Sequence, residues 1–149
     1  MDAIIYFSTM AVAFCGIIAG FIIANMAKEE LKPGRKYFSL MQDFLIVLML
    51  FFLLESYKLS IFIIAPVLLA VFLLLFYFKN SIKNSNMIIH SLLAVIFYLS
   101  SKSINLFSLE ASLIFLYGLP TGSLISKEKI KNILKMAVFI LIAGVLFLI

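Results

Sequence analysis

The chain has 149 residues, of which 65% are hydrophobic and 13% are charged, and its formal net charge is +5. A soluble domain has roughly 45–50% apolar and about 25% charged residues, so this chain has too little polar surface to cover a water-exposed globule. Six glycines, three prolines and one cysteine also exclude a collagen-like chain, a disordered chain and a disulfide scaffold. The composition indicates a single transmembrane domain over 1–149.

The apolar runs predict six transmembrane helices. A helix needs about 20 apolar residues, within a range of roughly 17–25, to cross the hydrocarbon core of a bilayer. Six runs reach this range: 3–27, 37–54, 59–78, 87–104, 105–125 and 130–149. Strands are the rival interpretation, but the runs are continuous rather than alternating, and the smallest transmembrane barrel already needs about eight strands. We therefore expect an all-α, polytopic integral membrane protein built as a bundle of six transmembrane helices.

The first span carries a face of small residues. Gly16, Gly20 and Ala24 recur at four-residue spacing, which places them on one helix face and lets a second helix backbone approach closely. The sequence leaves open whether that second helix belongs to the same chain or to another subunit. After this span, the dipeptide Pro33-Gly34 predicts a turn before the second span begins.

Two ionisable residues fall inside predicted spans near the same membrane surface. Asp43 lies about six residues into the second span and His90 about four residues into the fourth, which corresponds to depths of roughly 9 Å and roughly 6 Å. Ionisable residues at such depths are costly and normally face the bundle interior or a water-filled cavity. The two side chains either form a hydrogen-bonded pair or lie separately at the interface, and the sequence allows both arrangements.

The fifth span contains two glycines on either side of a proline. Gly118, Pro120 and Gly122 predict a kink or a break in this helix. Backbone carbonyls freed at membrane depth are tolerated only inside protein or around water. We therefore expect a polar vestibule, open to the cytoplasm, that binds a substrate or an ion. Its candidate residues are Asn25, Gln42, Asp43, His90, Thr121 and Ser123.

Glu110 lies about five residues into the fifth span from the opposite surface. Lys102 and Lys58 are predicted near that surface, so we expect a salt bridge between Glu110 and one of these lysines. A proton or cation relay through Glu110 is the alternative.

The cations predict the orientation of the bundle. Lysines and arginines in short connections are enriched on the cytoplasmic side. Ten of the 12 lie in or beside the first, third and fifth connections: Lys28, Lys32, Arg35, Lys36, Lys79, Lys83, Lys127, Lys129, Lys131 and Lys135. We therefore expect a cell-membrane location with both chain ends outside, and attraction of the basic connections to anionic lipid head groups of the inner leaflet.

Four tyrosines fall near span boundaries, where an aromatic belt is expected: Tyr6, Tyr37, Tyr57 and Tyr77.

The chain lacks the motifs of membrane enzymes. It contains no His-Glu-x-x-His pair, no Gly-x-Ser-x-Gly turn and no phosphate-binding glycine loop. A single histidine and a single cysteine are too few for a typical metal site, so we expect no catalysis, no metal and no cofactor. The basic residues flank hydrophobic spans, which argues against nucleic-acid binding.

Two functions fit this sequence. One is an accessory or structural subunit of a larger membrane complex. The alternative is a small oligomeric transporter or channel that uses the cytoplasm-facing vestibule.

Overall fold

The computed structural model describes residues 1–27, 31–81, 85–124 and 137–148. Within these ranges the chain forms six α-helices and no strand: α1 (Ala3–Met26), α2 (Leu31–Ser56), α3 (Ile61–Ser81), α4 (Ser85–Ser100), α5 (Ile104–Ser123) and α6 (Val138–Leu148). The predicted all-α class is confirmed. The predicted beginning of the sixth span, 130–136, lies outside the described residues, as do Ile149 and most of the basic fifth connection.

Three helices are long and apolar enough to cross a membrane. They are Ala3–Met26, Pro33–Ser56 and Ile104–Ser123. In the described parts of the other three helices the apolar segments are shorter: Ile61–Leu75, Ile88–Ser100 and Val138–Leu148. Over the residues that the structure describes, the chain is therefore a candidate membrane protein with three helices that are both long and apolar enough to span a bilayer, and its apolar helices are compatible with a membrane location.

The first connection ends earlier than predicted. α2 already begins at Leu31, so Pro33 and Gly34 lie inside its first turn and the predicted turn at this dipeptide is wrong. Proline is tolerated there because the first backbone N–H groups of a helix have no intrahelical acceptor. At the other end of α2, the chain leaves the helix through Lys58, which has a φ of 56°.

The bundle is organised around a parallel contact between α1 and α5. A Cβ atom added to Gly16 would collide with the carbonyl oxygen of Phe115, and one added to Gly20 would collide with the carbonyl oxygen of Leu119. The residue numbers rise together along both helices, so α1 and α5 run in the same direction. The two backbones touch, and only glycine fits at these positions of α1.

The α5 side of this contact is also built from glycine. A Cβ atom on Gly118 would lie 2.6 Å from the backbone nitrogen of Ile17, and one on Gly122 would collide with the Ile17 carbonyl oxygen. We call Gly16, Gly20, Gly118 and Gly122 together the glycine contact. It places the small-residue face of α1 against a helix of the same chain.

The predicted break in α5 is wrong, because the helix continues through Pro120 to Ser123. A proline removes one backbone donor, and in membrane helices nearby Ser and Thr hydroxyls help to satisfy the carbonyls. Pro120 leaves the carbonyl of Leu116 without its helical donor, and the Thr121 hydroxyl donates to the next carbonyl, that of Tyr117, at 2.7 Å. The glycines beside Pro120 therefore serve helix packing and do not unwind the helix.

An aromatic cluster surrounds Tyr6 near the start of α1. The Tyr6 ring is fully buried and stacks on Phe147 with centroids 4.3 Å apart. Phe97 and Phe107 lie 5.1 Å and 5.7 Å from the same ring. The Tyr6 hydroxyl donates to the Ala143 carbonyl at 2.9 Å. The aromatic-belt position predicted for Tyr6 is therefore wrong. We call Tyr6, Phe97, Phe107 and Phe147 the tyrosine cluster.

Candidate functional site

Polar side chains meet towards the other end of α5, away from the tyrosine cluster. Gln42 of α2 donates a hydrogen bond from Nε2 to Oγ1 of Thr121 at 2.8 Å. Thr121 is buried, and its hydroxyl proton goes to the carbonyl oxygen of Tyr117 one turn earlier. This pair joins α2 to α5 by a hydrogen bond between two residues that the sequence singles out.

Tyr117 lies near both of the predicted ionisable residues. His90 is 2% exposed, and its ring meets the Tyr117 ring edge-on with centroids 6.3 Å apart. Asp43 is half-buried and lies within electrostatic range of the Tyr117 hydroxyl. We call Gln42, Asp43, His90, Tyr117 and Thr121 the polar cluster.

Tyr117 is the member of the polar cluster that sequence reasoning missed. The apolar run of the fifth span gives no reason to single it out, and it is 4% exposed in the bundle. The available signal was its position four residues before Thr121, which places both side chains on the same face of α5.

Two other predicted site residues have different positions. The Ser123 hydroxyl lies within hydrogen-bond distance of the Gly20 carbonyl oxygen at 3.1 Å and of the Leu119 carbonyl oxygen at 2.9 Å. Ser123 therefore belongs with the glycine contact, where it ties α5 to α1. Asn25 donates to the Phe21 carbonyl of its own helix at 3.0 Å, so its side chain amide is used within α1.

The polar residues differ in how far they are buried, and an opening to the cytoplasm beside them stays a prediction. Thr121 and Ser123 are buried along with His90, whereas Gln42 and Asp43 are half-buried. The partly accessible side of the cluster is therefore provided by α2. α5 is continuous through Pro120, so no break in this helix opens the backbone beside the cluster.

The predicted outer salt bridge of Glu110 is wrong. Glu110 is fully buried, and neither of its carboxylate oxygens has a hydrogen-bond partner among the residues that the structure describes. The Lys102 ammonium lies 5.5 Å from the centre of the Tyr57 ring. Lys58 and Lys102 are exposed in the helix connections while Glu110 faces the bundle interior, so burial separates the predicted partners.

Within the described ranges, no group of three His, Cys, Asp or Glu side chains is placed to hold a metal ion.

Comparison with protein-family models, with curated proteins and with solved structures finds no match to the chain. The polar cluster offers one imidazole, one carboxylate and several hydrogen-bonding groups. Such groups are suited to joining helices and to holding a polar solute or an ion.

Proposed function

We propose that the chain is an integral protein of the cell membrane that crosses the bilayer six times, with both ends outside. The parallel direction of α1 and α5 supports this topology. For two parallel helices separated by α2, α3 and α4, an odd number of the intervening helices must cross. The tyrosine cluster agrees, since it gathers the starts of α1 and α5 with the ends of α4 and α6. Shorter apolar segments are accommodated by local thinning of the bilayer.

Reporter fusions test this topology. A reporter at each chain end, read separately for outside and cytoplasmic location, is expected to place both ends outside. A third reporter in the second connection, after Lys58, serves as an internal control and is expected outside as well. Chain ends on opposite faces would contradict the six-span topology.

Within this topology we propose an accessory or structural role in a larger membrane complex, without enzymatic activity. The observation that carries this proposal is the uneven burial of the helices. α3 packs chiefly against α2, and Ile64 is its one buried apolar residue among those whose side chains are described. Eight large apolar side chains of α3 are exposed: Ile61, Phe62, Ile63, Val67, Leu69, Phe72, Leu73 and Leu74. This surface fits a neighbouring membrane subunit.

Photo-crosslinking distinguishes a protein partner from lipid on this surface. A photoreactive phenylalanine analogue at Phe62 of α3, where the side chain is 86% exposed, is expected to form protein adducts in the native membrane. The matched control is the same analogue at Leu141 of α6, which is 65% exposed and is expected to form lipid adducts. Lipid adducts at both positions, with a tagged chain that purifies alone in mild detergent, would argue against an accessory role.

The polar cluster favours a second candidate function, a small oligomeric transporter or channel. Asp43 and His90 both lie beside Tyr117 at the predicted cytoplasmic end, and Asp43 is partly accessible there. A stable homo-oligomer that carries flux in reconstituted vesicles would support this function. Unchanged flux in a variant that combines Asp43→Asn with His90→Ala would exclude a role of the polar cluster in transport.

We also propose that the predicted cytoplasmic surface binds anionic lipid head groups. Arg35 and Lys36 are exposed at the start of α2 and line a cleft of about 570 Å³ together with Ser39 and Leu124. Each basic side chain near an anionic surface contributes about 1 kcal/mol of attraction. The double variant Arg35→Gln, Lys36→Gln is expected to retain less phosphatidylglycerol in native mass spectrometry. Equal retention by the variant and the original chain would contradict this assignment.

A further inference from the structure

The most isolated polar group in the described residues is the carboxyl group of Glu110. Its side chain has no exposed surface, and both of its oxygens lack a hydrogen-bond partner among the described residues. Phe107 and Ile114, one turn away on either side in α5, are buried as well. Glu110 thus lies inside the apolar core between the tyrosine cluster and the polar cluster.

The charged groups of the neighbouring helices lie elsewhere. On the predicted outer side, Lys102 is over the Tyr57 ring and Tyr6 directs its hydroxyl to the Ala143 carbonyl. α6 has no ionisable residue between Val138 and Leu148. Towards the other end, Tyr117 follows Glu110 by seven residues, about 10 Å along the helix axis.

Cys15 in the middle of α1 is exposed, and the remaining ionisable groups of the helices packed against α5 lie towards the two ends of the bundle. Asp43 on α2 and His90 on α4 are beside Tyr117. Asp2 is exposed at the start of α1, and Tyr98 lies in the last turn of α4. The described helices therefore bring no cationic side chain to the Glu110 carboxyl group.

An ionised carboxylate in such a position has a large desolvation cost that no partner among the described residues offsets. The group must therefore bind a positive species. A metal ion such as Mg²⁺ or Ca²⁺ needs about six or more oxygen ligands, and the described residues contain no group of acidic side chains or histidines that could supply them. A proton needs one oxygen atom and no cavity.

We propose that Glu110 is a proton-binding site inside the helix bundle, which carries its proton while α1, α2 and α4 are packed against α5. Release breaks the O–H bond of the carboxylic acid, leaves the electron pair on the carboxylate and passes the proton to water. Because water reaches Glu110 only when the packing around α5 opens, proton release is coupled to that opening. This site is independent of whether the chain is an accessory subunit or a transporter.

Infrared spectroscopy of the full chain in lipid vesicles tests the proposal. A protonated carboxylic acid has a C=O band that is separate from the bands of a carboxylate. At neutral pH the original chain is expected to show this band, and Glu110→Gln is expected to lose it. The matched control Glu55→Gln changes an exposed glutamate at the end of α2 and is expected to keep the band. A missing band in the original chain, or a band that persists in Glu110→Gln, would overturn the proposal.

A second measurement needs no variant, in case Glu110→Gln does not fold. The chain contains five glutamates: Glu29, Glu30, Glu55, Glu110 and Glu128. In carbon NMR of a chain with ¹³C-labelled glutamate, one-fifth of the side-chain carboxyl intensity is expected at the protonated position at neutral pH. That fraction is expected to exchange with D₂O more slowly than the amides of the connections. All of the intensity at the carboxylate position would refute the site.

Discussion

The α1–α5 pair is held differently at its two ends. At the glycine contact the two backbones touch, and the absence of side chains is what brings the helices together. Towards the tyrosine cluster the helices leave between them an open groove of about 860 Å³, lined in part by Ile5, Val12 and Ser108. There, large rings and one hydrogen bond from Tyr6 hold the bundle. The glycine contact depends on two backbones that leave no room for a side chain, whereas the tyrosine cluster depends on large rings that fill the space between helices. We therefore expect the two ends to respond differently to substitution.

The largest effect is expected for Gly16→Ala. The new methyl group would collide with the carbonyl of Phe115, which is backbone and has no rotamer to change. Overpacking of a core costs about 1–3 kcal/mol, and a backbone collision belongs at the upper end of that range. Thermal unfolding in detergent, followed by circular dichroism, measures the loss. A variant as stable as the original chain would show that the glycine contact does not hold α1 and α5 together.

A smaller effect is expected for Tyr6→Phe at the other end. The variant keeps the ring stacking but loses the hydrogen bond to the Ala143 carbonyl. The net contribution of one hydrogen bond to the free energy of unfolding is about 1 kcal/mol. The expected loss of stability is therefore about one-third of that for Gly16→Ala. Thermal unfolding of both variants under the same conditions gives the ratio. A loss for Tyr6→Phe as large as for Gly16→Ala would mean that the tyrosine cluster also depends on exact fit.

The hydrogen bond between Gln42 and Thr121 is expected to contribute less. Interhelical side-chain hydrogen bonds in membrane bundles average about 0.6 kcal/mol. A double-mutant cycle of Gln42→Leu and Thr121→Val isolates this coupling, since Thr121→Val also removes the bond to the Tyr117 carbonyl. A coupling free energy of zero would show that the hydrogen bond between Gln42 and Thr121 does not stabilise the bundle.

The smallest effect is expected for Gly144→Ala in α6, which serves as the matched control for Gly16→Ala. A Cβ atom on Gly144 would lie 3.8 Å from the Phe7 ring, an ordinary van der Waals distance. Because alanine is favoured over glycine within helices, the free energy of unfolding is expected to stay the same or rise by less than about 1 kcal/mol. A clear destabilisation here would mean that glycine is required throughout the bundle and not only where backbones touch.

The candidate site was predictable in part. Asp43, His90, Gln42 and Thr121 stand out because each is polar within an apolar run. Their meeting at Tyr117 was not predictable, because the distance between residues of three helices depends on how the helices pack. Glu110 shows most clearly what the sequence could not predict. Lys58 and Lys102 lie near the same predicted surface and suggested an ion pair, but Glu110 is buried in the bundle and Lys102 lies over the Tyr57 ring.

The glycines show a different limit. Gly118 and Gly122 have the same four-residue spacing as Gly16 and Gly20, but the proline between them favoured the interpretation of a break. Spacing identifies a face that allows close approach, and it does not name the helix that approaches.

The sequence by itself determined the helical class and the positions of most helices, because apolar run length and local breaks depend on neighbouring residues. It also identified the small-residue face of α1 and the polar residues that an apolar bundle must accommodate. Only the tertiary structure decided that α1 pairs with α5, that α5 continues through Pro120, and that Glu110 lies apart from every lysine near it in the chain. These outcomes depend on which surfaces touch, and contact between helices is a property of the whole bundle rather than of any one segment.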